Sequence, residues 1–531
     1  MAVDNEDKTL GAQSAVAEYF AGKSVLVTGA TGFVGKVLLE KLLRCCPGVE
    51  TIYLLMRKKR GVSPDERIKT FLQNPLFDTI RQLNPHTLDK VRLIPGDILL
   101  EELGLSNEDR VELQNKCHVV FHSAACVRFD QKLKDAVDLN TRGSFKILQL
   151  AESMKNLQAL VHLSTAYCRC ELPCLEERVY PALHPPAKIM DMVRWLDDQT
   201  LDYLEPKIIG TEPNTYSYTK ALTESLVAEF GSKIPIAIAR PSIITAIWKE
   251  PIPGWVDNLN GPTGLLMGAG KGVIRSMHCE PSYQCDAMPV DVVANGCILV
   301  AYATAMDRPK EVQVYNITLS GVIRQTWGEI IEKGREMVNK YPLTVALWYT
   351  GGSIKSYKWS HQLSVVFTHY LPAYLVDGLL LVMGKKTFLV KVQDRISHGI
   401  KILQHYTQKE WHFTNDKFLA LQNRISEFDR SIFYIDVKPV NMNAYMRNYV
   451  LGVRQYCCKE DPSTLSKARK IHKVRYLADV AVKVFFYAML LWLLVTYSYI
   501  FTSALETLET GLTSLSPFRS VKAYEIEELA A

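Results

Sequence analysis

Apolar and polar residues alternate in the first part of the chain in blocks that fit a layered α/β fold. Short apolar-rich runs, typical of buried parallel strands, occur at 25–27, 52–56, 91–94, 119–122, 160–164 and 236–239. Longer stretches with apolar residues at helical spacing separate these runs. The alternation predicts a doubly wound, mainly parallel sheet with helices on both faces.

The longest uncharged apolar stretch lies near the C-terminus. No charged residue interrupts 484–505, which is long enough to cross a bilayer. Lysines and arginines precede this stretch and glutamates follow it. The positive-inside rule therefore predicts a single span with the large N-terminal region in the cytosol. A buried core helix is the alternative interpretation.

A second apolar stretch, 363–383, is interrupted by Pro372, Asp377 and Gly378. These residues argue against a clean membrane span. Three interpretations stay open: a bilayer-facing hairpin or acyl-chain channel, a buried helix pair, and a true second span.

A glycine-rich turn follows the first apolar run, where residues 28–35 read TGATGFVG. Gly29, Gly32 and Gly35 are expected in a strand-to-helix turn, where missing side chains let the backbone approach a pyrophosphate. The helix N-terminus supplies free N–H groups and partial positive charge. The pattern predicts a dinucleotide-binding turn of the Rossmann type, with an ordinary tight turn as the alternative. Its other candidate cofactor contacts are Thr28, Thr31, Phe33 and Val34.

The end of the second apolar run indicates which dinucleotide binds. An NAD-selective site places Asp or Glu about 20 residues beyond the glycine turn. Here Arg57 and Lys58 hold that place. Because cations suit a 2′-phosphate, the sequence favours NADPH, with Arg57 as the main contact. The alternative is that 58–60 forms a solvated loop edge.

Two further strand ends supply candidate cofactor contacts. Asp97 and Ile98 follow the third apolar run and are expected near the adenine. Ser123 and Ala124 follow the fourth run and are expected beneath the nicotinamide ribose. We interpret His122 as a packed strand-end histidine rather than an acid or base.

A possible catalytic group follows from two later motifs. Ser164 and Thr165 end the fifth apolar run, and Tyr216 and Lys220 open a later helix. The four-residue spacing places Tyr216 and Lys220 on one helix face. An ammonium there is expected to lower the tyrosine pKa from about 10, while a hydroxyl of Ser164 or Thr165 orients a carbonyl oxygen toward Tyr216. Such a pair is common by chance, but after a glycine turn it indicates carbonyl reduction.

Composition excludes several other classes of protein. The 531 residues carry a net charge of only +6, which does not indicate nucleic acid binding. The 12 cysteines and the acidic, polar N-terminus predict reduced thiols in a cytosol-facing protein without a signal peptide. Cys168, Cys170 and Cys174 lie close together, but no Cys or His pair follows at zinc spacing. No metal site is expected.

The changes of pattern along the chain predict six segments. They are a loose leader at 1–20, a cofactor-binding catalytic domain at 21–345, a helical domain associated with substrate and membrane at 346–455, a basic juxtamembrane linker at 456–483, a transmembrane helix at 484–505 and a short tail at 506–531.

The motifs resemble the extended short-chain dehydrogenase/reductase superfamily and, more narrowly, the animal-type fatty acyl-CoA reductases. The wider match rests on the three glycines, Thr165 and Tyr216-x-x-x-Lys220. The narrower match covers most of the chain and includes 28–43, 122–129, 213–220, 240–244 and, most specifically, 249–264. One departure is Arg324-Gln325, where similar proteins usually show Asn-Pro before Thr-Trp.

The resemblance implies an alcohol-forming reduction of long-chain acyl-CoA with two molecules of NADPH. Thr165 and Tyr216 would stabilise the oxyanion, Tyr216 would donate the proton, and Lys220 would hold the nicotinamide ribose. Pro241 and Ile243 join the cofactor contacts through the same resemblance. Release of aldehyde, action on a sterol or sugar nucleotide, and a non-catalytic membrane-anchored scaffold stay open.

The cellular context follows from the same resemblance. A lipid membrane is an expected partner because acyl substrate and alcohol product both partition into lipid. We expect the endoplasmic reticulum rather than the peroxisome, although the final residues Glu-Glu-Leu-Ala-Ala match neither a retrieval nor a peroxisomal signal. Acyl chain length and a homo-oligomeric state stay open.

Overall fold

The computed structural model describes residues 14–57 and 61–514, with side chains described as far as residue 508. The strands are β1 Ser24–Thr28, β2 Thr51–Met56, β3 Val91–Pro95, β4 Cys117–His122, β5 Ala159–Leu163, β6 Cys174–Leu175, β7 Ile236–Pro241, β8 Ile243–Thr245, β9 Ser276–His278, β10 Ala287–Pro289, β11 Gln313–Ile317, β12 Ser353–Lys355 and β13 His412–Phe413.

The helices surround these strands and continue beyond them. They are α1 Ala15–Phe20, α2 Phe33–Cys45, α3 Pro64–Leu72, α4 Asp78–Leu83, α5 Asn107–Lys116, α6 Leu133–Ala136, α7 Gly143–Glu152, α8 Pro186–Trp195, α9 Asp198–Ile209, α10 Thr215–Phe230, α11 Pro262–Gly270, α12 Val290–Asp307, α13 Trp327–Lys340, α14 Lys358–Val365, α15 Leu371–Val382, α16 Leu389–Thr407, α17 Asp416–Ala420, α18 Glu427–Ile432, α19 Met442–Gly452 and α20 Leu465–Ser514.

Seven strands form one parallel sheet in the order β11-β7-β5-β4-β1-β2-β3. The chain runs outward from β1 to β3 and then returns to continue on the other side of β1. The switch point therefore lies between β1 and β4, where a ligand crevice is expected outside the carboxyl ends of the strands. This confirms the predicted Rossmann-type sheet. The edge strand β11 was not predicted.

Alternate residues of β1 enter two different cores. Val25 and Val27 pack with α2 and α12 on one face, whereas Leu26 packs with α7 and α10 on the other. Full burial of such side chains stabilises the fold by roughly 1.5–3 kcal/mol each. Burial on both faces explains why the run is continuously apolar rather than alternating.

The N-terminal helix α1 corrects the predicted loose leader at 1–20. Ser14 caps α1 by accepting a hydrogen bond from the Ala17 N–H, and its hydroxyl donates to Asp429. Val16 and Phe20, one helical turn apart, are both fully buried. The prediction is therefore wrong for residues 14–20, since a capped helix with an apolar face is held in the core. Residues 1–13 lie outside the described residues.

Two short parallel ladders cross the predicted domain boundary between residues 345 and 346. Strand β12 pairs with β9, and β13 pairs with β6. The sheet region and the following helical region consequently belong to one compact unit, which ends at Ala468.

The second unit begins at Arg469 and contains most of the 50-residue helix α20. The region Pro462–Leu508 is long and apolar enough to cross a membrane, with a mean hydropathy of 2.0 and 6% of its most apolar window buried. This low burial excludes the alternative of a core helix at 484–505. The predicted linker at 456–483 is helical from Leu465 onward, because no glycine or proline interrupts the chain there. Tail residues 515–531 lie outside the described residues.

The ambiguous stretch 363–383 is helical almost throughout. Helix α14, a π-helical turn at Val366–Tyr370 and α15 follow one another, and only 17% of this candidate span is buried. The alternative of a buried helix pair is therefore wrong. Pro372 lies in the first turn of α15, where proline is tolerated.

Candidate active site

The glycine turn has the close approaches that a pyrophosphate cradle requires. Gly29 has a φ of +70°, and a Cβ atom there would lie 2.7 Å from the Ala124 backbone nitrogen. A Cβ on Gly35 would lie 2.4 Å from the Gly29 carbonyl oxygen. Helix α2 then begins at Phe33, and its N-cap Gly32 supplies no side-chain cap. The turn fits a dinucleotide because its N–H groups are not occupied by a capping side chain.

The first residue of the turn has a structural role. Thr28 Oγ1 lies 2.7 Å from His122 Nδ1 and accepts a 3.2 Å hydrogen bond from the Ala124 N–H. The Ser123 hydroxyl donates to the Thr28 carbonyl oxygen at 2.7 Å. These contacts hold the loop after β4 against the glycine turn at the switch point. Thr28 and Ser123 thus shape the crevice, while Thr31 lies in the turn itself and Val34 lies in the first turn of α2.

His122 is a buried packing residue, as its sequence context indicates. Its Nε2 atom lies 2.9 Å from Ser144 Oγ, and burial lowers its pKa to about 3. The nearby Lys220 ammonium lowers this pKa further. A neutral, fully hydrogen-bonded imidazole is poorly suited to proton transfer at neutral pH.

The predicted adenosine contacts lie at the carboxyl ends of β2 and β3. Arg57 follows β2 and is exposed, whereas Lys58 lies outside the described residues. Asp97 Oδ1 accepts a 3.1 Å hydrogen bond from the Leu99 N–H, which stabilises its turn. Ile98 packs against Gly143, where an added Cβ would lie 3.1 Å from the isoleucine.

The structure brings Thr165 and Tyr216 together closely enough for the Thr165 side chain to influence the Tyr216 pKa. Burial raises the pKa of Tyr216 above its usual value, and Thr165 only partly opposes this effect. The expected lowering of this pKa by Lys220 is therefore wrong for this arrangement. Desolvation of the phenolate is the largest cause of the shift, so the phenol stays protonated at neutral pH.

Lys220 is held beneath the site. Its Nζ atom donates a 2.7 Å hydrogen bond to the Leu163 carbonyl oxygen at the end of β5. Burial lowers the pKa of Lys220 to about 8, while the carboxylate of Glu224 raises it. At neutral pH this lysine remains a cation beside the end of the strand that carries Ser164.

Ser164 is a second hydroxyl at this strand end. Its Oγ atom is buried and has no hydrogen-bond partner among residues 14–57 and 61–514. An orphaned hydroxyl of this kind is consistent with a ligand contact, because buried polar groups are normally paired.

The other two predicted cofactor contacts lie at the neighbouring strand ends. The Pro241 carbonyl accepts a 2.9 Å hydrogen bond from the Ala166 N–H, and Ile243 begins strand β8.

Sequence reasoning missed Asn140, which joins the loop after β4 to the helix that carries Tyr216 and Lys220. The Asn140 side chain accepts a 2.7 Å hydrogen bond from the Cys126 N–H and donates to the Cys126 carbonyl at 3.2 Å. It also donates to Thr219 at 3.0 Å, beside Lys220. Asn140 lies in the π-helical turn Val137–Arg142, a feature that is frequent at functional sites but has no signature in one sequence.

The helical region supplies a wall of the site that sequence reasoning also missed. Tyr406, near the end of α16, accepts a 2.9 Å hydrogen bond from Asn214 and lies 3.2 Å from Ser217 Oγ. The Phe129 ring lies 5.5 Å from the Tyr216 ring and 5.3 Å from the Tyr406 ring. These contacts cross long sequence separations, so periodicity gives no indication of them.

The segment 249–264 packs beside the glycine turn. Lys36, in the first turn of α2, forms an ion pair with Asp257. The Phe33 ring stacks on Trp255 at 5.7 Å between ring centroids. The ring of Phe33, a predicted cofactor contact, therefore packs against another side chain of the protein. The segment supports the cofactor turn.

Two sequence-family models match the chain, and both are described as male sterility protein. An NAD-binding model matches residues 27–297, and the Sterile model matches residues 368–460. Fatty acyl-CoA reductase 1 of Mus musculus is 39% identical over 461 residues, covering 87% of this chain and 90% of the mouse protein. Fatty acyl-CoA reductase 2 of Bos taurus is 37% identical over 477 residues, covering 88% and 92%.

A solved structure supports the fold independently. The reductase domain of a nonribosomal peptide synthetase from Mycobacterium tuberculosis matches with a TM-score of 0.56 at 18% identity, covering 84% of this chain and 95% of that domain. The sheet, the glycine turn and the family model define an oxidoreductase with a nicotinamide-binding fold. More narrowly, the chain belongs to the fatty acyl-CoA reductase family, which confirms the resemblance.

Proposed function

We propose that this protein reduces long-chain acyl-CoA to a fatty alcohol with NADPH. The observation that carries the proposal is that Thr165 and Tyr216 come together in a fold whose glycine turn has the close backbone approaches of a dinucleotide site. Two hydroxyl groups that meet there are suited to hold one carbonyl oxygen. The relatives named as fatty acyl-CoA reductases support a thioester as the carbonyl substrate.

The cofactor side of the crevice supports NADPH. The N–H groups at the start of α2 would hold the pyrophosphate, and exposed Arg57 would pair with the 2′-phosphate. Lys220 would hold the nicotinamide ribose while it remains hydrogen-bonded to Leu163. When bound, NADPH supplies the hydride.

The catalytic hydroxyl groups have separate tasks. Thr165 donates a hydrogen bond to the carbonyl oxygen, and Tyr216 stabilises the developing negative charge and then gives up its proton. The raised pKa of Tyr216 suits a proton donor, because the phenol is fully protonated at neutral pH. The resulting thiohemiacetal releases CoA as a thiol and leaves an aldehyde. When bound, a second molecule of NADPH would supply the hydride that reduces the aldehyde to the alcohol, and Tyr216, once reprotonated, would again give the proton.

The C-terminal helix supports a membrane location. Basic residues precede the apolar part of α20, so we propose a single span with the catalytic unit in the cytosol. We propose the endoplasmic reticulum as the compartment, and fluorescence microscopy of the tagged full chain against endoplasmic-reticulum and peroxisomal markers tests this choice.

The test is to incubate the purified full chain with palmitoyl-CoA and NADPH and to identify the products. We expect hexadecanol with consumption of two NADPH per acyl-CoA. Accumulation of aldehyde with one NADPH consumed would support the aldehyde-releasing alternative. Absence of NADPH oxidation across a panel of acyl chain lengths would overturn the proposal, and parallel assays with sterol and sugar-nucleotide substrates would then identify another reductase activity.

A further inference from the structure

The helices α14 and α15 present two very different faces. The inner face is tied to the catalytic unit through His361 and His369. His361 Nδ1 lies 2.9 Å from Ser276 Oγ, and His369 Nε2 accepts hydrogen bonds from the backbone of residues 275 and 276 at 2.8 and 3.2 Å. The inner row then continues at four-residue intervals with buried Ala373 and Asp377.

The outer face is apolar and exposed. At α15, Leu375, Leu379 and Val382 have 62%, 64% and 87% of their surface accessible. The other exposed large apolar residues of this face are Leu363, Val366, Phe367, Leu371, Tyr374, Val376, Leu381, Met383 and Phe388. A contiguous patch of this size is uncommon on a soluble protein and marks an interaction surface.

Asp377 does not place a charge on this patch. Its carboxylate accepts hydrogen bonds from the backbone N–H groups of Phe388, Leu389 and Val390 at 3.1, 3.0 and 2.9 Å. It therefore stabilises the start of α16, and these hydrogen bonds hold its pKa below the usual value. The one acidic residue of α14 and α15 is thus directed inward.

Cations lie at the end of the patch. Lys385 and Lys386 are exposed in the turn between α15 and α16, and Lys391 is exposed in the first turn of α16. The exposed aromatic residues Tyr357 and Trp359 lie at the opposite end. An apolar helix face with lysines and interfacial aromatic residues at its borders matches the chemistry of an anionic lipid surface.

The chain path favours an interfacial arrangement over a second membrane span. Strand β12, directly before α14, is paired with β9. Helix α16, which follows α15, ends at Thr407, one residue after Tyr406 in the wall of the active site. Both ends of the segment are thus held in the same compact unit. A helix tied along its inner face to that unit is available to lipid only on its outer face.

We propose that the outer face of α14 and α15, with the lysine turn after α15, docks the catalytic unit on an anionic membrane surface. This docking site is separate from the candidate span in α20. Helix α16 has 19 residues and is about 28 Å long, so it links the docking face to the wall of the site. If the proposed function holds, the same surface receives lipid-borne substrate.

Photo-crosslinking of the full chain in phosphatidylcholine–phosphatidylserine vesicles tests this proposal. Benzoylphenylalanine is placed at Leu379 or Val382 and, as matched controls, at Leu83 or Leu183, which are 63% and 60% exposed outside these helices. Circular dichroism verifies that each labelled protein is folded. We expect lipid adducts from Leu379 and Val382 at several-fold the control yield.

The outcomes separate lipid docking from its alternatives. Yields equal to the controls would overturn the docking site, and adducts to a second copy of the chain would assign the patch to a protein interface instead. The yield should fall several-fold when Lys385 and Lys386 are both replaced by glutamate, and in vesicles without phosphatidylserine. Unchanged yields there would overturn the requirement for anionic lipid. Because crosslinking needs no turnover, its failure is distinguishable from failure of the proposed reductase activity.

Discussion

The Arg240 guanidinium and the Glu224 carboxylate form a two-pronged ion pair inside the catalytic unit. Arg240 Nε lies 2.9 Å from Glu224 Oε1, and Arg240 Nη2 lies 2.5 Å from Oε2. The side chains are 0% and 2% exposed. Arg240 also donates to the backbone carbonyls of Glu176 and Arg178, so four of its five N–H groups have acceptors within the fold.

Removing one partner should leave a buried charge without compensation. We expect Glu224→Gln to lower the free energy of unfolding by about 3–5 kcal/mol. Glu176→Gln is the control, because the Glu176–Arg178 pair is 56% and 60% exposed and should contribute less than about 1 kcal/mol. Urea unfolding of the detergent-solubilised full chain measures both changes, and equal effects would contradict the buried-pair interpretation.

Tyr216→Phe keeps the ring and removes the proton donor. We expect the rate of NADPH oxidation to fall by about 10²–10⁴-fold, with little change in NADPH affinity measured by fluorescence titration. Tyr218→Phe is the matched control, since the Tyr218 hydroxyl contacts His184 at 3.1 Å rather than Thr165. Comparable losses in both variants would indicate a packing role for Tyr216.

The sequence predicts the sheet well because strands buried on both faces need continuous apolar runs. The edge strand β11 is not predicted in this way, because its sequence QVYNI has polar residues at its first and fourth positions and therefore contains no continuous apolar run. The sequence does not predict helix α1, because Val16 and Phe20 form too short an apolar row to indicate a helix from spacing alone. Local patterns therefore predict elements with a full period better than short or edge elements.

The candidate site is predictable only where its residues carry a motif. The sequence predicts the glycine turn and the Tyr216–Lys220 spacing, because each depends on local geometry. It does not predict the pKa of Tyr216, because that pKa depends on burial that only the tertiary structure defines. Asn140 and Tyr406 reach the site from distant elements and have no local signature.

Lys220 should give the enzyme an alkaline limit. Burial lowers its pKa from 10.5 to about 8, so the cation is lost as pH rises through about 8. We expect kcat/KM to fall in that range, and Lys220→Arg, which stays charged, to remove this limb from the pH profile of its residual activity.

The Lys220 pKa shift changes stability in the opposite direction to activity as pH rises. Between about pH 8 and pH 10.5 the unfolded chain binds more protons at Lys220 than the folded chain does. This group alone therefore makes the free energy of unfolding rise with pH in that window. An alkaline activity loss that merely follows unfolding would contradict the assignment, and thermal unfolding at each pH separates the two.

Two glycines with left-handed backbones distinguish strain from crowding. Gly29 and Gly22 have φ values of +70° and +67°. A Cβ added to Gly29 would lie 2.7 Å from the Ala124 backbone nitrogen, whereas a Cβ added to Gly22 would have no atom within 4 Å. Gly22→Ala should cost roughly 1–2 kcal/mol of stability through its backbone alone. Gly29→Ala should cost more and should also weaken NADPH binding. Unaltered binding in Gly29→Ala would show that the turn does not cradle the cofactor.

Arg57 should determine the preference for NADPH over NADH, because it is exposed directly after β2 where a 2′-phosphate is expected. Loss of a charge-assisted hydrogen bond in Arg57→Ala should raise the KM for NADPH by roughly tenfold or more and leave the KM for NADH nearly unchanged. Arg194→Ala, which removes an exposed arginine from α8, is the control for general charge effects. Parallel titration of both cofactors measures the change. A proportional rise in both KM values would show that Arg57 contributes to the site as a whole and does not read the 2′-phosphate.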